Sequence, residues 1–234
     1  MVVAGDRGGP QVIPRPSRVK PGGPAPWADL SPSELRLDRS SIRHAFEASG
    51  SPVRSPRMGA VGRGAAVLAP LYETDDGLHV VLTRRSSALR VHSGEVSFPG
   101  GRQDEGEELL QTALRESQEE IALDPAAVEV VGELDHLSTF SSNSFIIPFV
   151  GLLDGQPSVR PNPAEVAAVL DVPVSELLAP DVYREERWDI FGTERPIFFF
   201  ELHGDTVWGA TAAMLRQLLG IATGTVGRGG LQHL

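Results

Sequence analysis

Between Val81 and Leu123 the chain reads VLTRRSSALRVHSGEVSFPGGRQDEGEELLQTALRESQEEIAL, a polar segment and a Gly-rich turn followed by a stretch with helical spacing. A helix starting near Glu107 advances about 100° per residue, gathering Leu110, Ala113, Leu114, Ser117 and Ile121 into one stripe of apolar and small side chains. Glu116, Glu119 and Glu120 stand three and four positions apart, so they are expected together on the opposite, solvated side. Three acidic groups within one turn repel one another. Hard divalent cations such as Mg2+ or Mn2+ take oxygen ligands at that density. An ordinary solvated helix accommodates the same residues, because Glu is a good helix former and Arg115 to Glu119 is an i,i+4 pair. The cluster Phe98-Pro99-Gly100-Gly101 ends an extended segment, and a glycine backbone there can approach a ligand closely.

Gly101, five residues, Glu107, seven residues, then Arg115-Glu116-Ser117-Gln118-Glu119-Glu120-Ile121-Ala122-Leu123 resembles the box of the Nudix hydrolases. The five charged positions fit. Ala122 stands where that family usually has Gly, and Ser117 where it prefers an apolar or small residue; neither is a metal ligand. The resemblance implies an α/β/α sandwich with a mixed β-sheet, and Mg2+- or Mn2+-dependent cleavage of a diphosphate linked to another moiety. Upstream, Leu82-Thr83, Arg85-Ser86, Arg90, Gly94 and Phe98-Pro99-Gly100-Gly101 resemble the motif of the coenzyme A diphosphatase subfamily, with Val81 in place of Leu. That likeness implies coenzyme A or acyl-coenzyme A as substrate, with 3',5'-ADP and (acyl-)phosphopantetheine as products. The rival substrates are ADP-ribose, NADH or another nucleoside diphosphate derivative. A reading of another class is a catalytically silent nucleotide-binding regulatory module.

On this resemblance Glu116 and Glu120 are the principal metal ligands, Glu119 is a third ligand or the base that orients water, and the Gly101 carbonyl completes the shell. Arg115 pairs with the helix carboxylates and Glu107 anchors the preceding loop; eight residues apart, they meet only if that loop folds back. Glu165, at a loop-to-strand junction where the family often places a site-facing carboxylate, joins Glu116, Glu119 and Arg115 as a catalytic candidate, although it could equally cap local backbone. The substrate-binding candidates are Arg85 and Arg90, then Arg84, with Gly100 and Gly101 in the turn. Guanidinium forks match phosphate oxygens, but a solvated loop explains the same arginines. His92 is a lone ring in this segment.

A chain of 234 residues suits one domain with a substantial core, assigned here to residues 61–222. Residues 1–28, rich in Pro, Gly and basic groups without hydrophobic periodicity, are expected to be a disordered tail. Residues 29–60 read as a short helical extension and linker, with a helix start at Ser31-Pro32-Ser33-Glu34 and a second helix over 40–48. Padding the body and covering a homodimer contact are both open uses for it. Residues 223–234 are expected to be a flexible tail.

The first 60 residues hold nine basic and five acidic side chains, so a net charge of -10 leaves -14 on the remainder. Such a body disfavours general nucleic-acid binding, and an anionic ligand needs local arginines and metal ions. Cys is absent, which excludes disulfides and thiolate metal sites. With neither the features of a signal peptide nor a membrane span in the sequence, a cytoplasmic location is expected.

Strands are expected over 64–71 and 78–83 around an Asp75-Asp76-Gly77 turn, over 128–134, 144–153 and 166–172, and in a last hairpin of 196–202 with 207–208. Ser138 to Asn143 reads as a hydroxyl-rich loop, 173–178 as a short helix, and 180–195 as a mixed loop. Thr211 to Leu219 carries a helical apolar face.

Overall fold

The computed structural model describes residues 7–56, 58, 64–89, 92–138, 145–190, 192–229 and 231. Its strands are β1 (Val19–Pro21), β2 (Ala65–Thr74), β3 (Gly77–Arg85), β4 (Val96–Ser97), β5 (Gly100–Arg102), β6 (Glu129–Glu133), β7 (Leu137–Ser138), β8 (Phe145–Leu152), β9 (Val166–Pro173), β10 (Tyr183–Ile190), β11 (Thr193–Leu202) and β12 (Asp205–Trp208). The helices are α1 (Arg39–Ala48), α2 (Leu109–Ile121), α3 (Val174–Leu177) and α4 (Gly209–Ala222).

Period-two alternation decides how the larger sheet is covered. Along β2 and β8, Ala66, Leu68, Phe145, Ile147 and Phe149 turn to one side, where they meet Ala113 and Ile121 of α2. Leu71, Leu152 and, from β3, Leu78, Val80 and Leu82 turn to the other side and join α4 and the smaller sheet. β2 pairs antiparallel with β3 and parallel with β8, so the sheet is mixed. β9 lies along the far edge of β3, and β5 adds a short antiparallel rung at the start of β2. The smaller sheet runs β1-β10-β11-β12. The result is the expected α/β/α sandwich with a mixed sheet, widened by a second sheet.

Several expectations need correction. From Arg7 onward the described part of 1–28 is packed rather than loose. Val19–Pro21 pairs with β10, and Trp27 is 1% exposed against Tyr183 and Phe200. Its Pro and Gly content removes hydrophobic periodicity, while long-range pairing holds it. The start signal at Ser31 makes its capping contacts, Ser31 N–H and hydroxyl both donating to Glu34, yet only turns follow. The stretch 180–195 is mostly strand: β10 hides Tyr183, Glu186 and Trp188, and its charges pair sideways, as in Arg15 to Glu186. The C-terminal stretch also docks. Arg228 donates to the Glu133 carbonyl, the Gly229 N–H to Asp135, and Leu231 is buried.

Candidate active site

The turn before α2 is laid onto β2 by backbone bonds. Leu68 N–H donates to the Pro99 carbonyl at 2.9 Å, and Gly100 and Gly101 pair with Val67 and Ala66. Both glycines are required by space. Gly100 has φ 149°, and a Cβ there would lie 2.3 Å from the Ala66 carbonyl oxygen. A Cβ on Gly101 would fall 2.4 Å from the carboxyl carbon of Glu116. The turn therefore lies directly against the carboxylates of α2.

α2 begins at Leu109 and is closed by Ala122 in the left-handed region at φ 57°. This is the position where the box usually has Gly, and alanine adopts the conformation at a cost. Ser117 is buried and donates to the Ala113 carbonyl, so its hydroxyl is satisfied within the helix. The C-terminal end of α2 is tied to the segment before β9. Arg160 N–H donates to the Ile121 carbonyl and Asn162 N–H to that of Glu120, both at 2.8 Å. Ser86 N–H, just past β3, donates to the Glu165 carbonyl at 2.7 Å. Glu165 is thus held between the ends of α2 and β3.

Arg115 organises the loop. Its Nε donates to Glu107 Oε1 at 2.9 Å and its Nη2 to Glu107 Oε2 at 3.1 Å, so the loop folds back as required for this pair. Nη1 donates to Glu116 and Glu119 at 3.0 Å each, and Nη2 to the Arg102 carbonyl at 3.2 Å. The guanidinium, with the Thr112 hydroxyl and Asp104 N–H, pulls Glu107 down to about 2. Arg115 itself is raised, chiefly by its bond to Glu107.

Glu120 departs from the sequence expectation. It is 3% exposed, not on the solvated side with Glu119. The glycine turn and Arg85 cover the flank of α2 on which it lies: Gly100 N–H donates to its Oε2 at 3.1 Å, and Arg85 Nη1 is 3.8 Å from its Oε1. Burial pushes Glu120 up to about 7, against the pull of the Gly100 N–H and Arg85 and with further push from Glu116 and Glu165. Glu116 is raised by burial first, opposed by Arg115, with Glu119 and Glu165 adding repulsion. The Glu119 side chain stays 55% exposed. These partly hidden carboxylates and the Gly101 carbonyl are hard oxygen donors, which suits Mg2+ or Mn2+. Among the described residues, no three His, Asp or Glu side chains close into a preformed cage, because Arg115 engages Glu116 and Glu119.

The structure gathers Arg85, Gly100, Gly101, Arg115, Glu116, Glu119, Glu120 and Glu165 into one region and leaves Arg84 out. Alternation along β3 turns Arg84 away, where its Nε and Nη2 grip Asp205 at 2.7 and 2.5 Å. Asp205 is itself buried, so Arg84 is spent on an internal ion pair rather than offered to a substrate. Arg90 and positions 139–143 of the hydroxyl-rich loop lie outside the described residues. His92 is exposed, has φ 57°, and pairs with Glu95 at 2.8 Å. Sequence reasoning missed Asp205, whose partner lies 121 positions away and leaves no local signal.

Residues 62–191, more than half of the chain, match the NUDIX domain. The chain belongs to the Nudix family. It is 44% identical over 189 residues to "Nudix hydrolase 22, chloroplastic" of Arabidopsis thaliana, covering 76% of this chain and 60% of that protein. "Nudix hydrolase 15, mitochondrial" of the same plant is 43% identical over 161 residues, covering 64% of this chain and 55% of its own length. The chain thus spans less than two thirds of either plant protein. A bacterial relative named "Uncharacterized Nudix hydrolase NudL", from Photorhabdus laumondii, is 37% identical over 168 residues, covering 71% of this Nudix chain and 89% of the relative. The plant names carry two organelles, so family membership does not fix a cytoplasmic location. Among the described residues, no helix is long and apolar enough to cross a membrane.

Proposed function

We propose that this Nudix protein hydrolyses the diphosphate linkage of a nucleoside diphosphate derivative with Mg2+ or Mn2+, and that its substrate is coenzyme A or an acyl-coenzyme A. The observation that carries the hydrolase reading is Glu120: a buried carboxylate raised to about 7, beside Glu116 and within the field of Glu165, under a glycine turn. A silent binding module has no use for such repulsion.

Glu116 and Glu120, with the Gly101 carbonyl, would hold the ion. A divalent cation, when bound, lowers the pKa of water and offsets the charge on non-bridging diphosphate oxygens. Arg115 keeps Glu116 and Glu119 oriented and ties both to the loop through Glu107. Glu119, the exposed member, accepts the proton of the attacking water; Glu165 orients that water from the facing segment. Arg85, at the end of β3, offers its guanidinium to phosphate oxygens, and Gly100 and Gly101 let the backbone approach them.

The coenzyme A assignment rests on the motif from Leu82 to Gly101, supported by Arg85 facing the carboxylates. The test is a panel of coenzyme A, acetyl-coenzyme A, dephospho-coenzyme A, ADP-ribose and NADH with each metal, comparing kcat/KM and identifying products by mass. Preference for coenzyme A and its acyl form, with release of 3',5'-ADP, is the expected result. Preference for ADP-ribose or NADH overturns the substrate and leaves the reaction class. Stoichiometric binding without product in the presence of metal overturns both.

A further inference from the structure

The N-terminal segment reaches the backbone next to the candidate active site through Gln11. Its Nε2 donates to the Gly94 carbonyl at 3.1 Å and to Asp205 Oδ1 at 2.8 Å, while its Oε1 accepts from Thr206 N–H at 2.8 Å. Asp205 is the carboxylate that Arg84 grips, so the carboxamide joins the Gly94 backbone to β12 and, through Arg84, to β3. The segment carrying Gln11 is tightly seated. Gly9 N–H donates to the Thr206 hydroxyl at 3.0 Å, Gly8 N–H to the Leu202 carbonyl at 2.7 Å, and a Cβ on Gly9 would meet Asp205 Cα at 2.5 Å. Next to Gly94, the Glu95 carbonyl accepts from Arg85 N–H at 2.9 Å, and Arg85 is the cation facing Glu120. Gly94 has φ 73°, and the backbone beside it is otherwise held by short-range bonds, Glu95 N–H to the His92 carbonyl and the Ser93 hydroxyl to the Ser87 carbonyl at 3.2 Å each, so Gln11 supplies its tie to β12.

We propose that Gln11 is a positioning residue, clamping Gly94 to β12 so that Arg85 is presented to the diphosphate in one orientation. This inference rests on the functional reading above and acts on substrate binding, not on the carboxylates. The experiment compares full-length Gln11→Ala, Gln11→Glu and Arg15→Ala. Arg15 ties the same segment to Glu186 without touching the turn, so it controls for loss of the segment as a whole. Gln11→Glu keeps an acceptor for Thr206 N–H but removes the donor to Gly94 and sets a second carboxylate beside Asp205.

Two quantities are read: kcat and KM on the panel substrate turned over, and hydrogen exchange of the Arg85 and Glu95 amides. Losing the clamp should raise KM about three- to tenfold in both Gln11 variants, with kcat within about twofold and faster exchange at those amides. Arg15→Ala should leave both quantities near wild type. Unchanged exchange in Gln11→Ala, faster exchange with unchanged KM, or an Arg15→Ala variant matching Gln11→Ala in both, overturns the inference. If the wild type turns over no panel member, the functional reading falls instead. The exchange comparison then decides alone whether Gln11 holds the turn.

Discussion

Glu120→Gln should make the metal-free protein more stable at neutral pH while removing most of its turnover. At a solvated helix position this isosteric change would move stability by only about 0.5 kcal/mol. Glu120 is 3% exposed, and burial raises it from the usual 4.5 to about 7. Between those two values the folded chain keeps a proton that the unfolded chain has released, so stability falls as pH rises. Above pH 7 the penalty for ionising Glu120 is complete, and the difference between the two pKa values corresponds to about 3 kcal/mol. Gln keeps an acceptor for the Gly100 N–H and carries no charge, so the variant escapes that penalty.

Urea unfolding of both proteins in EDTA, from pH 4.5 to pH 8, reads the effect. The curves should nearly coincide at pH 4.5 and separate to about 2–3 kcal/mol in favour of Gln at pH 8, or about 5–10 °C in Tm. Mg2+ at about ten times its Kd should then stabilise the wild type by about 1.4 kcal/mol, and the variant by less. Equal stabilities at pH 8, or a difference independent of pH, would refute the reasoning. Either result would mean that Glu120 is not held in a buried, uncompensated state.

Arg115→Lys should lower kcat about a hundredfold and reduce Tm, because one ammonium cannot serve Glu107, Glu116, Glu119 and the Arg102 carbonyl together; near-normal kinetics would remove Arg115 from its organising role. Gly101→Ala should lose more activity than stability, since its Cβ meets the Glu116 carboxylate rather than backbone; a folded variant with normal metal dependence would count against the site. Arg84→Ala should cost about 3 kcal/mol by leaving Asp205 buried without its partner, whereas Arg85→Ala should raise KM for coenzyme A with little change in Tm; denaturant melts beside kinetics separate the two. Glu165→Gln should lower kcat more than it raises KM, and unchanged rates across a Mn2+ series would leave Glu165 as loop structure.

The box was legible because its information is local. Helical spacing fixes which side of α2 each residue takes, the Asp-Gly turn fixes the β2–β3 hairpin, and the apolar runs mark β8 and β9. What was not legible depends on distant partners. Glu120 looks solvated on a helical wheel because 116 and 120 share a side. It is buried because the turn at 99–101 and Arg85 close over that flank. Arg84 and Arg85 are neighbours in sequence, and only the pairing of β3 shows that one faces Asp205 and the other Glu120. Residues 180–195 read as a mixed loop, yet 183–190 form β10, in which Glu186 is buried between Arg15 and Arg184. The same long-range pairs explain why the N-terminal stretch is packed without any hydrophobic period of its own.

Glu107 and Glu120 show how one helix and its loop divide carboxylates between structure and chemistry. Glu107 is pulled to about 2, chiefly by Arg115, so it contributes stability at neutral pH that is lost as pH falls from 4.5 through about 2. Glu120 is pushed to about 7 by burial, so it detracts from stability above 4.5, the opposite sign over the adjoining window. A residue chosen only for the fold would not be kept in the second state, since Gln would fit the same bonds without the penalty. A cation would reverse that balance by pairing with the charge that burial disfavours. Metal binding and recovered stability are then one equilibrium, and an ion that fails to raise Tm most strongly near and above pH 7 is not bound at Glu120.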